Sequence, residues 1–464
     1  MALNVTTAAS GLILILALAG CASLPDTQLQ LERHAAQTVS FETARGAVSP
    51  QKSAAIFAEL KRKSPDLDIL EKHVALEQAI VGTPLVLGNR ITLLQDGPAT
   101  YAAMFAAIRA ARDHINMETY IFEDDDIGRQ FSELLVEQQA RGIQVNLIYD
   151  SVGSFGVPAA FFEPIKQSGI QLLEFNPVNP LNARGPWLIN NRDHRKLLIV
   201  DGRTAFLGGI NISSVYSSGP VLRRTTRPPA AGAASGHWRD TDLQIEGPAV
   251  AEFQKLFMET WEKQKGAPLA DRQYFPELAP QGNEIVRAIG STPADPFSLI
   301  YLTLISAIDN AEKQVWLTNA YFVPDPQLLQ SLKGAAARGV DVRLILPGHS
   351  DSALVFNAGR SYYEDLLEGG VRLYERTGAL LHAKTAVLDG VWATIGSTNL
   401  DWRSFLDNNE INAVVLSRDF GQKMQSMFTR DIEASQEIQA QAWQRRPLTM
   451  RVKEWAARLL SRML

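Results

Sequence analysis

The residues most able to do chemistry are His382 and Lys384, in the segment LHAKTAVLDGVWATIGSTN (381 to 399). Lysine supplies a fixed positive charge for a phosphoryl oxygen. The imidazole titrates near neutrality, so it can serve as nucleophile or as general acid and base. The apolar run Ala386, Val387, Leu388 reads as a buried strand, and period-two alternation turns His382 and Lys384 to one face. Asp389 is five residues past Lys384, an odd step that faces it away. Gly390 supports a turn. A second short strand, Trp392 to Ile395, leads to Gly396-Ser397 and Asn399.

A lone His-x-Lys is common and reads as a strand-end histidine beside a solvated lysine. Here the pattern stands twice. HRKLLIVDGRTAFLGGIN (194 to 211) places Lys196 two, Asp201 seven and Asn211 seventeen residues after His194. Lys384, Asp389 and Asn399 follow His382 at the same three spacings. Gly208-Gly209 matches Gly396-Ser397. The candidates are therefore His194, Lys196, Asp201, His382, Lys384 and Asp389 as the catalytic set, with Asn211 and Asn399 binding substrate. Within that set the parity argument gives Asp201 and Asp389 a structural, supporting part.

The paired HxKxxxxD segments, each followed by a glycine turn and asparagine, resemble the phospholipase D superfamily, and most of all the bacterial cardiolipin synthases. The resemblance extends over residues 90 to 435, through METYIFEDDDIG (117 to 128), WRDTDLQIEGP (238 to 248), NAYFVPD (319 to 325) and NNEINAVV (408 to 415). It implies a phosphohistidine mechanism with His194 as nucleophile and His382 as acid and base. The residue types alone leave that order open. It also implies that Asp240 and Glu410 orient the two histidines. No cofactor or metal is required.

The elements that must position these residues repeat as well. In the first half a helix over 98 to 113 precedes strand INMETYIF. Helices near 126 to 141 and 158 to 168 then alternate with strands IQVNLIYD and IQLLEF. In the second half a helix over 297 to 313 precedes VWLTNAYF, with helices near 326 to 338 and 352 to 368 alternating with VDVRLIL and VRLYER. Strand–helix alternation argues an α/β fold with helices on both sheet faces. The expectation is two homologous phospholipase D-type α/β/α sandwich domains, 91–265 and 285–440, related by a pseudo-two-fold axis with both His–Lys pairs at one site. Residues 266–284 are the linker. An insertion from Tyr216 to Gly236 reads as a mobile loop, either bordering the site or a tolerated surface insertion.

The chain has 464 residues, 46% apolar and 20% charged, with net charge −5. That suffices for two medium domains and offers no general basic surface for nucleic acid. One cysteine excludes an internal disulfide or a cysteine metal cluster. It follows a short apolar core (8 to 20), and Leu18-Ala19-Gly20-Cys21 looks like a bacterial lipobox. The core is shorter than the ~20 residues of a transmembrane helix, and no Lys or Arg precedes it. Residues 1–20 are read as a lipoprotein signal and Cys21 as the lipidated residue, which places the chain in the bacterial cell envelope as a lipid-anchored protein. The spacer 21–90 has two amphipathic segments (51 to 63, 67 to 80). His34 and His73 lie in it without a partner pattern and read as surface residues. Residues 441–464 read as a basic amphipathic helix, with Val452, Trp455, Ala456, Leu459, Leu460 and Met463 at helical spacing, suited to an anionic membrane surface.

The resemblance implies transfer of a phosphatidyl group from phosphatidylglycerol to a second phospholipid, phosphatidylglycerol or phosphatidylethanolamine, giving cardiolipin. It leaves room for an accessory protein and expects no nucleic-acid partner. A hydrolytic phospholipase D, a superfamily nuclease and a non-catalytic membrane scaffold are the alternatives.

Overall fold

The computed structural model describes residues 24, 26–33, 38–63, 69–185, 187–217 and 237–464. Cys21, the lipobox, His34 and nearly all of the 216–236 insertion lie outside them.

Each half builds its sheet around seven matching strands, and Ser435–Glu437 adds one more at the outer edge of the second. The first uses β1 (Leu85–Gln95), β2 (His114–Thr119), β3 (Gln144–Asp150), β4 (Gln171–Phe175), β5 (Leu197–Val200), β6 (Thr204–Gly208) and β7 (Thr241–Glu246). Its order is β1-β7-β6-β5-β2-β3-β4. The second uses β8 (Glu284–Ser291), β9 (Gln314–Thr318), β10 (Asp341–Pro347), β11 (Arg372–Arg376), β12 (Thr385–Leu388), β13 (Trp392–Gly396) and β14 (Asn408–Leu416). Its order, β8-β14-β13-β12-β9-β10-β11, is the same. β1 pairs antiparallel with β8, so the two sheets run on into each other.

The central strands are covered on both faces: β2, β3 and β14 are buried at every residue, polar side chains included. The crossover helices carry matching punctuation. Asp125 caps Asp126–Ala140 through the amides of Ile127 and Gly128, and Asp325 caps Pro326–Ala337 through Gln327 and Leu328. Gly142 and Gly339 follow the two helix ends at φ +89°, a conformation that glycine adopts without a Cβ clash. The helix expected over 352 to 368 is broken into Ala353–Arg360 and Tyr363–Glu368.

Three cores result. One lies under the outer helices of the first half, around Tyr101, Phe131 and Phe162. Another lies under those of the second half, around Leu304, Leu332 and Leu366. A third joins the halves: Leu243, Ile245 and Phe253 of the first half with Ala413, Val415 and Met424 of the second. The sheets are thus layered with helices outside and a shared core between, as two α/β/α units about a pseudo-two-fold axis.

The spacer folds onto the second half, and it corrects the surface reading of His73. Helix Ile69–Val81 packs against Leu299–Asn310. His73 is fully buried, its Nδ1 2.9 Å from Ser306 Oγ and its ring edge-on to Trp392. Glu77 on the same face meets the buried Arg287 of β8 at 2.9 Å. The polar face of this helix answers a cation in the interior, not solvent. Burial, with Arg287 nearby, pushes His73 down to about 3, so it stays neutral.

At the C-terminus, helices Ala440–Gln444 and Leu448–Arg458 follow one another. Ala457 and Glu454 face the protein, while Leu448, Val452, Trp455, Leu459, Leu460 and Met463 face out.

Candidate active site

Each histidine lies just before a strand, at the point where that strand's lead-in pairs with the other half. Arg192–Asp193 pairs in parallel with Asn408–Asn409, and the His194 amide donates to Asn409 O at 3.0 Å. Ala379–Leu381 pairs in parallel with His237–Arg239, and the His382 amide donates to Arg239 O at 2.8 Å. These crossed pairings bring both His–Lys pairs to one buried site. His194, Lys196, His382 and Lys384 are 7%, 3%, 5% and 2% exposed.

The orienting carboxylates are exchanged. Glu410, from the second half, meets His194 Nδ1 at 3.0 and 3.1 Å. Asp240, from the first, meets His382 Nδ1 at 2.7 Å. A carboxylate there makes Nδ1 the N–H donor and leaves Nε2 with its lone pair free. Lys384 Nζ also stands 3.0 Å from His382 Nδ1. With Nδ1–H committed to Asp240, that approach joins two donors and is no hydrogen bond; Lys384 donates instead to the His382 carbonyl. Lys196 Nζ donates to the His194 carbonyl at 2.6 Å. Ser397 donates to Glu410, and Asn408 Nδ2 donates to it at 3.3 Å. At the matching place in the first half a Cβ on Gly209 would lie 2.2 Å from Asp240 Oδ1, so only glycine fits.

Burial sets the charges. It pushes His194 down to about 4, against the pull of Glu410 and with the help of Lys196. His382 is lowered by burial and by Lys384. Burial brings Lys196 down to about 7 and Lys384 to about 8. Burial works the other way on Glu410 and Asp240, yet their histidines and the lysines hold both below the usual carboxylate range. With neutral imidazoles, two lysines balance two carboxylates, and an anionic phosphodiester entering this enclosure would favour protonation of a histidine.

Asp201 and Asp389 do not join the site. Each has positive φ, at +53° and +51°. Asp201 accepts from the amides of Arg112, Asp113 and His114, and Asp389 from those of Glu312, Lys313 and Gln314. They fix the turn into β2 and into β9. Their place in the catalytic set is therefore corrected to a structural one, as the parity of their spacing implies. Asn211 is already engaged: Oδ1 accepts from Ile121 N at 3.2 Å and Nδ2 donates to Tyr216 OH at 2.9 Å. Asn399 Oδ1 is buried without a partner.

Four aromatic residues are additions to the set. Tyr120 stands edge-on to His194 at 5.1 Å, with Lys196 Nζ 5.2 Å from its ring centre. Tyr321 occupies the corresponding place near His382 at 6.2 Å, its hydroxyl donating to Asp351. Tyr216 OH lies 3.4 Å from His382 Nδ1, and Trp238 packs on the same ring at 5.2 Å. The two tyrosines had a visible signal, since METYIF and NAYFVP end the matching first strands. Tyr216 and Trp238 flank the insertion and have no counterpart in the repeat. Among the described residues no group of three or more His, Cys, Asp or Glu side chains could hold a metal ion.

Comparison with known proteins agrees with this geometry. The family described as "Cardiolipin synthase, PLD-like domain" matches residues 104–217 and 304–432, one match in each half. Cardiolipin synthase of Geobacillus kaustophilus is 36% identical over 386 residues, 82% of this chain and 74% of that protein. Cardiolipin synthase A of Pseudomonas putida is 35% identical over 362 residues, 76% of this chain and 71% of that protein. The crystal structure of phosphatidylserine synthase from Haemophilus influenzae has the same fold, with TM-score 0.61 over 84% of this chain and 99% of that one at 14% identity.

Proposed function

The chain belongs to the phospholipase D-like cardiolipin synthase family, and we propose that it makes cardiolipin by moving a phosphatidyl group from phosphatidylglycerol, through a phosphohistidine, to a second phospholipid. The observation that carries the mechanism is the exchanged pair of contacts, Glu410 on His194 and Asp240 on His382.

His194, neutral because of its burial, attacks phosphorus through Nε2. The P–O bond to glycerol breaks, and protonated His382 gives its proton to the leaving alkoxide. Glu410 stabilises the positive charge that develops on His194. Lys196 and Lys384 face the non-bridging oxygens, where charge gathers in the transition state. His382, now neutral, takes the proton from the hydroxyl of the acceptor lipid. That oxygen attacks the phosphohistidine, the P–N bond breaks, and the product leaves with the site restored. Burial of all four groups favours the lipid hydroxyl over water by limiting water at the phosphorus.

The exposed face of Leu448–Arg458, with Arg451 and Lys453 around Val452 and Trp455, would lie on an anionic bilayer, and a lipid on Cys21 would hold the chain there. Among the described residues no helix is long and apolar enough to cross a membrane.

Lipid product analysis tests the assignment. Solubilised protein and its His194→Ala and His382→Ala variants are incubated with phosphatidylglycerol, with and without phosphatidylethanolamine. Cardiolipin with released glycerol, lost in both variants, is expected. Phosphatidic acid without cardiolipin would replace transfer by hydrolysis.

A further inference from the structure

Among the described residues most exposed large apolar side chains gather in two places, with Leu29, Val215, Phe275 and Leu354 standing apart. One is the C-terminal helix. The other is a pair of loops in the first half. Residues 151–157 expose Val152 and Phe155 (73% exposed), and residues 176–191 expose Val178, Leu181 (89%), Leu188 (62%) and Ile189.

The two loops are bound to each other and to the site. Ser151 Oγ donates to Asn176 O at 2.5 Å, and Arg192 Nη1 reaches both Ser151 Oγ and Asn176 O at 3.0 and 3.1 Å. Asp150 accepts from the amides of Val152 and Gly153 with Oδ1 and from Asp193 N with Oδ2. His194 is the next residue. Gly153 is pressed on the carbonyl of Tyr120, where a Cβ would lie 2.1 Å away, and the Tyr120 ring stands against His194. Asn176 Nδ2 donates to Asn191 O at 2.9 Å and closes the base of the longer loop. The bases of both loops are therefore tied to the segment that carries the nucleophile.

We propose that these loops are a membrane-seating rim, whose apolar tips enter the acyl region of a bilayer and set the site at the level of the phospholipid phosphates. Charge chooses the occupant. Residues 151–157 and 176–191 contain no carboxylate, and Arg184 is their single charge, in a chain with 50 acidic residues and net charge −5. An anionic bilayer accepts such a surface without repulsion, and apolar tips around one arginine suit its interface. The inference rests on the lipid-transfer reading above and adds to it where the bilayer lies.

The test uses the full chain and a Leu181→Ser, Leu188→Ser variant. Both side chains are exposed, so an unchanged melting temperature is the control for folding. Flotation with phosphatidylglycerol vesicles measures binding, and cardiolipin formation is compared between vesicles and dispersed short-chain phosphatidylglycerol. Removing two inserted leucines should weaken vesicle binding about a hundredfold, taking each as about tenfold. The ratio of vesicle to dispersed turnover should fall with it. Unchanged flotation, or equal loss of turnover on both substrates, would overturn the rim. Absence of cardiolipin on either substrate in the unsubstituted chain would instead overturn the transfer reading.

Discussion

Glu410 acts on His194 in two ways: its oxygens hold the Nδ1 proton, and its charge raises the histidine's affinity for a second one. Glu410→Gln separates the two effects from simple loss of shape. The amide has similar size, but it can present its NH2 to Nδ1 and carries no charge. The expected loss is about 10²- to 10⁴-fold in kcat, the scale seen when a histidine loses its orienting carboxylate. The sign of the pH effect follows from the charge. Glu410 favours the imidazolium, so its removal should lower the pKa of His194 further and move the acid limb of kcat/KM to lower pH. A limb that moves upward would show that His194 is not the group held by Glu410. The same logic accounts for the Gly209 and Ser397 asymmetry. Asp240 lies against the backbone where a side chain would stand, while Glu410 receives the serine hydroxyl.

At the scale of the strand, the aspartate that closes each motif makes a turn and not a reaction. Asp389 satisfies three backbone amides at the entry to β9 and does so from a left-handed conformation. Asp389→Ala should cost about 2–4 kcal/mol, from three unsatisfied amides and a Cβ at positive φ without a compensating side chain. Asp389→Asn, which tolerates that conformation and still accepts, should cost less than half as much. Urea unfolding measures both, and turnover per folded molecule should persist in Asn. A variant fully folded yet inactive would return Asp389 to the chemistry. Much of this was legible in the chain, because spacing is local: it paired His382 with Lys384 and set Asp389 apart, although all three lie outside the strand Thr385–Leu388 itself. What depends on distant partners was not. His73 shows no pattern because Ser306 and Arg287 complete its environment only after folding. The exchange of Asp240 and Glu410 was hidden for the same reason. The residues were visible, but a contact across 216 or 142 positions has no period to reveal it. The longer rim loop carries no repeat either, since in the second half only Thr377 and Gly378 separate β11 from Ala379–Leu381.

At the scale of the molecule, two homologous halves make one site, and neither half contains a complete catalytic pair. His194 has its carboxylate in the second half and His382 in the first. The strands leading to each histidine pair with the other half, β1 pairs with β8, and the middle core draws on both. A half expressed alone would expose the unpaired edge of β1 or β8 together with apolar side chains of that core, a combination that favours aggregation. Chains 1–265 and 266–464 expressed separately should therefore be poorly soluble and form no cardiolipin. Produced together, they should copurify and recover activity, because the break falls in the segment between the sheets and every crossed contact can still form. Cardiolipin formation by either half as a soluble monomer would be incompatible with a shared site. A second arm makes the point chemically. Co-expressed halves carrying Asp240→Asn in one and Glu410→Gln in the other should be no better than the intact chain with both substitutions, since each substitution disables the histidine of the opposite half. The duplication thus left the molecule two copies of a fold but a single place to hold a phosphate, with each copy positioning the other's histidine.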